Sequence, residues 1–211
     1  MPAVFWTVVL AALLFFFGPG LAADDEAPPA RPPAAPARVD SAAGATREKV
    51  APASAGPAMP RSAPTRLRIP EIGVDAPFTA LKIGASGALE PPPADDTNLV
   101  GWHAAGTSPG ERGTAVVAGH LDTVTSPAVF ARLGELGSGD RFEVQRTDGT
   151  TARFVVDSVE TFRKDDFPDE RVYEDTPAAL VRLITCAGPY DREAKDYTEN
   201  LVVFAHLENR R

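Results

Sequence analysis

The sequence predicts a mainly β fold, a closed or partly closed barrel of seven or eight short strands. Three observations predict it. From Arg66 onwards, short apolar runs rich in β-branched residues recur through about 145 residues. Turn signals separate them, such as Ser138-Gly139-Asp140 and Thr147-Asp148-Gly149-Thr150, the second reading as a hairpin turn. Only residues 127–136 carry apolar positions at helical spacing (Val129, Phe130, Leu133, Leu136).

In order, the stretch 67–78 alternates apolar and polar residues around Pro70 and Gly73 and reads as two short strands. Further strands are expected over 81–83, 114–118, 141–145, 152–159, 179–185 and 201–207. The segment 101–103, Gly-Trp-His, reads as part of a polar loop rich in Gly, Ser and Pro. No internal repeat, glycine-rich phosphate loop or zinc-spaced Cys/His pattern is present in the sequence.

Ahead of the barrel the composition changes twice. Residues 3–17 are almost all apolar, and Leu21-Ala22-Ala23 follows a Gly-Pro-Gly break. Residues 1–23 thus read as a signal or anchor segment that places the rest of the chain outside the cell. Residues 24–64 are Ala/Pro-rich and poor in large apolar side chains, so they cannot bury enough surface to offset their ordering entropy and read as a semi-extended linker. The folded domain is expected over 65–211. A net charge of -8 over 211 residues argues against a nucleic-acid partner.

The chemistry centres on the one cysteine. Cys186 ends the run Leu180-Val181-Arg182-Leu183-Ile184-Thr185 and is followed by Ala187-Gly188-Pro189. A lone cysteine is often only a small buried hydrophobe. Here a second apolar run, Ala115-Val116-Val117-Ala118-Gly119, ends on His120, so two strands would deliver the two halves of a thiol–imidazole pair. Gly119 leaves room for another segment to approach closely, and Asp122 either orients the ring or stands in solvent. His103 reads as a rim or exposed residue and His206, in the last strand, as structural. Acyl transfer also needs oxyanion donors. The backbone N–H of Ala187 is one candidate; Arg192, in the following loop, is a second, though Asp191 and Glu193 beside it make a surface ion pair an equal reading.

Taken together, Ala118-Gly119-His120-Leu121-Asp122, Pro127-Ala128-Val129-Phe130, Leu183-Ile184-Thr185-Cys186 and Asn200-Leu201-Val202-Val203-Phe204-Ala205 resemble a sortase, most closely the class E/F type of high-GC Gram-positive bacteria. The resemblance spans about Arg66 to Leu207. It implies a closed eight-stranded sortase-type β-barrel with one or two short helices, and a cysteine transpeptidase. Such an enzyme cuts C-terminal sorting signals of the Leu-Pro-x-Thr-Gly kind between Thr and Gly and passes the acyl group to a cell-wall precursor amine. By the same resemblance Cys186 is the nucleophile, His120 the acid/base, and the chain is held by an N-terminal anchor in the cell membrane with its catalytic domain outside. No cofactor or metal is implied; Asp95, Asp96, Asp165 and Asp166 read as solvated loop charges. One departure stands out: the family's arginine near the start of the last strand is absent from Asp196-Tyr197-Thr198-Glu199-Asn200. Arg192 is the favoured substitute, with Thr198 or Asn200 as neutral hydrogen-bond donors. The missing arginine also favours a competing reading, an exported barrel that only binds peptides. An L,D-transpeptidase fits less well, because its His and Cys lie together in a Ser-His-Gly-Cys-like motif.

Overall fold

The computed structural model describes residues 57–209. The N-terminal segment and most of the linker lie outside the described residues, and among the described residues no helix is long and apolar enough to cross a membrane.

Eight strands close into a barrel: β1 (Pro64–Ile69), β2 (Val74–Leu81), β3 (Val100–His103), β4 (Gly113–Gly119), β5 (Arg141–Arg146), β6 (Thr151–Arg163), β7 (Ala179–Asp191) and β8 (Asp196–Leu207). The order around the barrel is β1-β2-β3-β4-β7-β8-β6-β5, with β5 pairing back to β1. Closure leaves no free sheet edge. Side chains alternate across each strand, and the alternation sorts the sequence into two faces. Val181 and Leu183 of β7, Val203 and Ala205 of β8, Ala115 and Val117 of β4, and Phe154 of β6 point into one continuous core. There Phe142 stacks on Phe154 with ring centroids 5.2 Å apart. Outside the barrel a smaller cluster forms where Val202 and Phe204 of β8 meet Val172 of a short helix, α1 (Asp169–Tyr173), the one α-helix among the described residues.

The apolar pattern at 127–136 does not make the expected helix. Val129, Phe130, Leu133 and Leu136 are all buried, but along a chain of turns with a single 3₁₀ turn at Leu133–Glu135. Gly134 and Gly137 withhold helix propensity, and the same four contacts with the core are satisfied without it. Residues 101–103 are the opposite case: they form β3, parallel to β2 and antiparallel to β4. Gly101 permits this, since a Cβ there would lie 2.3 Å from a Leu81 methyl. Of 81–83, Leu81 closes β2 and Ile83 makes only an isolated bridge to Leu89.

Packing also begins before residue 65. The Met59 N–H donates to the Gly110 carbonyl (2.8 Å), and Ser62 is buried. Arg61 donates to the carbonyls of Ala104 and Gly106 while lying over the Trp102 ring. The buried Arg146 guanidinium donates to the Pro60 carbonyl. Within the described residues, packing onto the barrel is thus already under way at Met59.

Gly119 sits where β4 passes under the 127–136 turns; a Cβ would come within 2.5 Å of the Phe130 ring and 2.9 Å of Val129. Both neighbours are buried and cannot swing away. Gly119→Ala is expected to destabilise the fold by about 1–3 kcal/mol through overpacking, read as a lower urea midpoint with unchanged slope.

Candidate active site

Strands β4 and β7 lie side by side and run parallel, with Thr114 opposite Leu180, Val116 opposite Arg182 and Ala118 opposite Ile184. Each β4 residue thus faces the β7 residue sixty-six positions later. Carried two residues beyond the last pair, the same offset would put His120 level with Cys186. Parity agrees. The odd-numbered neighbours Ala115, Val117, Val181 and Leu183 are buried in the core. Thr114, Val116, Ala118, Ile184 and Cys186 instead line a cleft of about 990 Å³ on the outer face, and His120 lines it too. The structure therefore brings the predicted cysteine and histidine to one cleft, each at the end of its apolar run.

The cleft has two kinds of wall. Ile83, Leu89, Pro91 and Pro92, from the connection between β2 and β3, face Val116, Ala118 and Ile184 and make it largely apolar. Lys164, Asp196 and Asn200 supply its polar end beside the thiol. Asn200 stands directly opposite Cys186 in the β7–β8 ladder. Immediately after the cysteine the ladder shifts register between Ala187 and Tyr190, and Gly188 adopts a left-handed φ of 75°. The positive φ makes glycine the natural residue at the bulge that ends the regular pairing.

His120 Nε2 lies 2.7 Å from the Pro92 carbonyl oxygen. A carbonyl can only accept, so Nε2 carries the hydrogen and Nδ1 is left to take or give a proton. Burial pushes the Cys186 thiol up from its ordinary pKa; Lys164 opposes that shift, while Asp196 and Asp122 add to it. Lys164 Nζ is 3.8 Å from Sγ and 2.7 Å from Asp196 Oδ2. This lysine is the cation that reading the sequence missed. It follows β6 in a 3₁₀ turn, Lys164–Asp166, between Arg163 and two aspartates, where local charge alternation gave no sign that it faces the thiol.

The remaining predicted residues are dispersed. Arg192 is exposed in the turn between β7 and β8 and is not among the residues lining the cleft. Thr198 is exposed on β8, whereas Asn200 reaches the cleft. His103 lies at the end of β3 and lines the far part of the same cleft. His206 Nδ1 pairs with Asp157 at 2.6 Å, remote from the thiol. Asp122 accepts a hydrogen bond from the Tyr197 hydroxyl, while the hydrogen bond that holds the His120 ring is the one to Pro92. A second, more open cleft, about 730 Å³, lies on that side and includes His120, Asp122 and Tyr197.

The Asp122 bond favours the neutral phenol and pushes Tyr197 up to about 12. Asp122→Asn removes the anionic acceptor, so the Tyr197 midpoint is expected to fall toward the ordinary tyrosine value near 10, followed by absorbance at 295 nm.

Comparison with known proteins supports the family and the barrel fold. The family model described as Sortase domain matches residues 67–208. Among solved structures, sortase C1 from Streptococcus agalactiae superposes with a TM-score of 0.53 at 21% identity, over 70% of this chain and 68% of that one. Sortase A from Corynebacterium diphtheriae (a lid mutant) gives 0.52 at 19% identity, covering 70% and 71%. A Clostridium perfringens sortase D5 transpeptidase gives 0.51 at 19%, covering 70% and 79%. No curated protein matches the chain.

Proposed function

The chain belongs to the sortase family of cysteine transpeptidases, and on that premise we propose that it cleaves a Leu-Pro-x-Thr-Gly-type sorting signal between Thr and Gly and transfers the acyl part to a cell-wall amine. The observation that carries this reading is that His120 and Cys186, each two residues beyond the last β4–β7 pair, line one cleft. The apolar walls of that cleft suit the Leu-Pro part of such a signal, and its polar end lies at the thiol, where the scissile carbonyl would sit.

In the first half-reaction Cys186 Sγ, as thiolate, attacks the threonine carbonyl carbon. The C–S bond forms and the C–N bond to glycine breaks. His120, protonated at Nδ1 and held through Nε2 by Pro92, gives its proton to the leaving amine. In the second, the acceptor amine attacks the thioester carbonyl; the new C–N bond forms, the C–S bond breaks, and the proton lost by the amine returns to His120. Because burial favours the neutral thiol, the rate is expected to rise with pH as the Cys186 thiolate forms, followed as kcat/KM against pH.

The class E/F assignment rests on the order of motifs along the chain. Attachment to the cell membrane with the barrel outside rests on the apolar residues 3–17 and the Pro/Ala-rich spacer after them.

The test uses the full-length chain with a Leu-Pro-Glu-Thr-Gly peptide and an amine acceptor, products being read by mass spectrometry. Cleavage after Thr is expected, abolished by Cys186→Ala and reduced about 10²–10⁴-fold by His120→Ala. Absence of cleavage across several signal variants would instead support a peptide-binding barrel.

A further inference from the structure

The family's arginine is missing from the start of β8, and Arg192 lies outside the cleft, so the site needs another source of positive charge. Among the residues lining the cleft, Lys164 is the one lysine or arginine. We infer that Lys164 is the cationic group of this active site, holding the Cys186 thiolate and then the oxyanion that forms on the carbon bonded to it.

Four features of the geometry carry the assignment. The ammonium lies 3.8 Å from Sγ. Its side chain is only 28% exposed, so water screens the charge weakly. Asp196 of β8 grips it at 2.7 Å, which fixes its position and leaves two of its three N–H donors for other partners. Finally, in the tetrahedral adduct the oxyanion is two bonds from sulfur, so a cation already touching Sγ is within hydrogen-bonding reach of it.

Lys164 arrives from a different element than the missing arginine. It follows β6, whose Arg163 pairs with Glu199 in the β6–β8 ladder, while β8 pairs on its other side with β7 and so with the cysteine. The lysine thus enters across the start of β8, where Asp196 anchors it. It is a catalytic residue by contact with the reacting sulfur, and its assigned role transfers no proton.

Other charged and titratable groups face the thiol and set the background. His120 comes from the end of β4, and Asp122, just beyond it, raises the thiol's pKa, as does Asp196 on β8. Asp169, Tyr173 and Asp175 line the cleft from α1 and the segment after it. Tyr197 also lies close enough to interact with the thiol, and with the four aspartates Asp122, Asp169, Asp175 and Asp196 around it, loss of the lysine would leave the thiolate among carboxylates.

The inference rests on Cys186 as nucleophile but not on which peptide is cut, and its test separates the two. Alkylation of Cys186 by iodoacetamide is followed against pH in the full-length chain and in Lys164→Gln and Lys164→Arg. Lys164→Gln is expected to move the alkylation profile to higher pH and slow the reaction about tenfold near pH 8, with Lys164→Arg restoring most of it. Turnover of a peptide that the wild type cleaves should fall about 10²–10³-fold in Lys164→Gln and recover in Lys164→Arg. An unchanged alkylation profile in a folded Lys164→Gln chain would overturn the assignment, whatever happens to turnover. Failure of Lys164→Arg to restore the profile would overturn it as well, since the charge would then not be what matters. The shifted profile without cleavage of any peptide would uphold Lys164 and count against the transpeptidase reading alone.

Discussion

The parallel pairing of β4 with β7 is the constraint on which the site depends. Parallel neighbours need a long crossover, and here it runs through β5, β6 and α1 before β7 returns beside β4. That detour makes the catalytic pair distant in sequence and adjacent in space. A slip of one residue in this pairing would turn Cys186 toward the core and His120 away from it. Core residues on both strands forbid the slip: Ala115, Val117, Val181 and Leu183 have no exposed surface. The hydrophobic interior of the barrel is therefore also what holds the site in register.

The cleft works against its own chemistry in one respect, because the enclosure that would exclude water from a thioester also favours the neutral thiol. The structure answers with local devices. Pro92 fixes one nitrogen of the imidazole, Asp196 fixes the lysine, and the bulge at Gly188 ends the ladder just past the cysteine. Each uses a short-range contact from a segment whose course the barrel sets: the β2–β3 connection, the start of β8 and the end of β7.

Much of this was legible in the sequence. Alternation gave the strands at 67–78, short apolar runs between turn residues gave most of the others, and the end-of-run positions of His120 and Cys186 gave the candidate pair, because a strand fixes where its last side chain points. The closed barrel follows the resemblance and is what the structure has. The helix expected at 127–136 failed because burial at helical spacing is also met by a chain of turns, and periodicity does not distinguish the two. β3 was hidden because four residues containing a glycine carry too little pattern, and its pairing with β2 depends on Leu81 filling the space above Gly101. Lys164 was hidden for a different reason. Its contact with Cys186 passes across β8, and no local feature of Arg163-Lys164-Asp165-Asp166 records a partner that far along the chain.

The central claim is that Cys186, which lines one cleft with His120, becomes acylated by the peptide it cleaves. The most direct measurement is to mix the full-length chain with a Leu-Pro-Glu-Thr-Gly peptide without acceptor, quench in acid and map the adduct by mass spectrometry after digestion. The account predicts a hydroxylamine-labile Leu-Pro-Glu-Thr acyl group on the segment containing Cys186. Peptide cleavage with no adduct there, or with the acyl group on another residue, would contradict it.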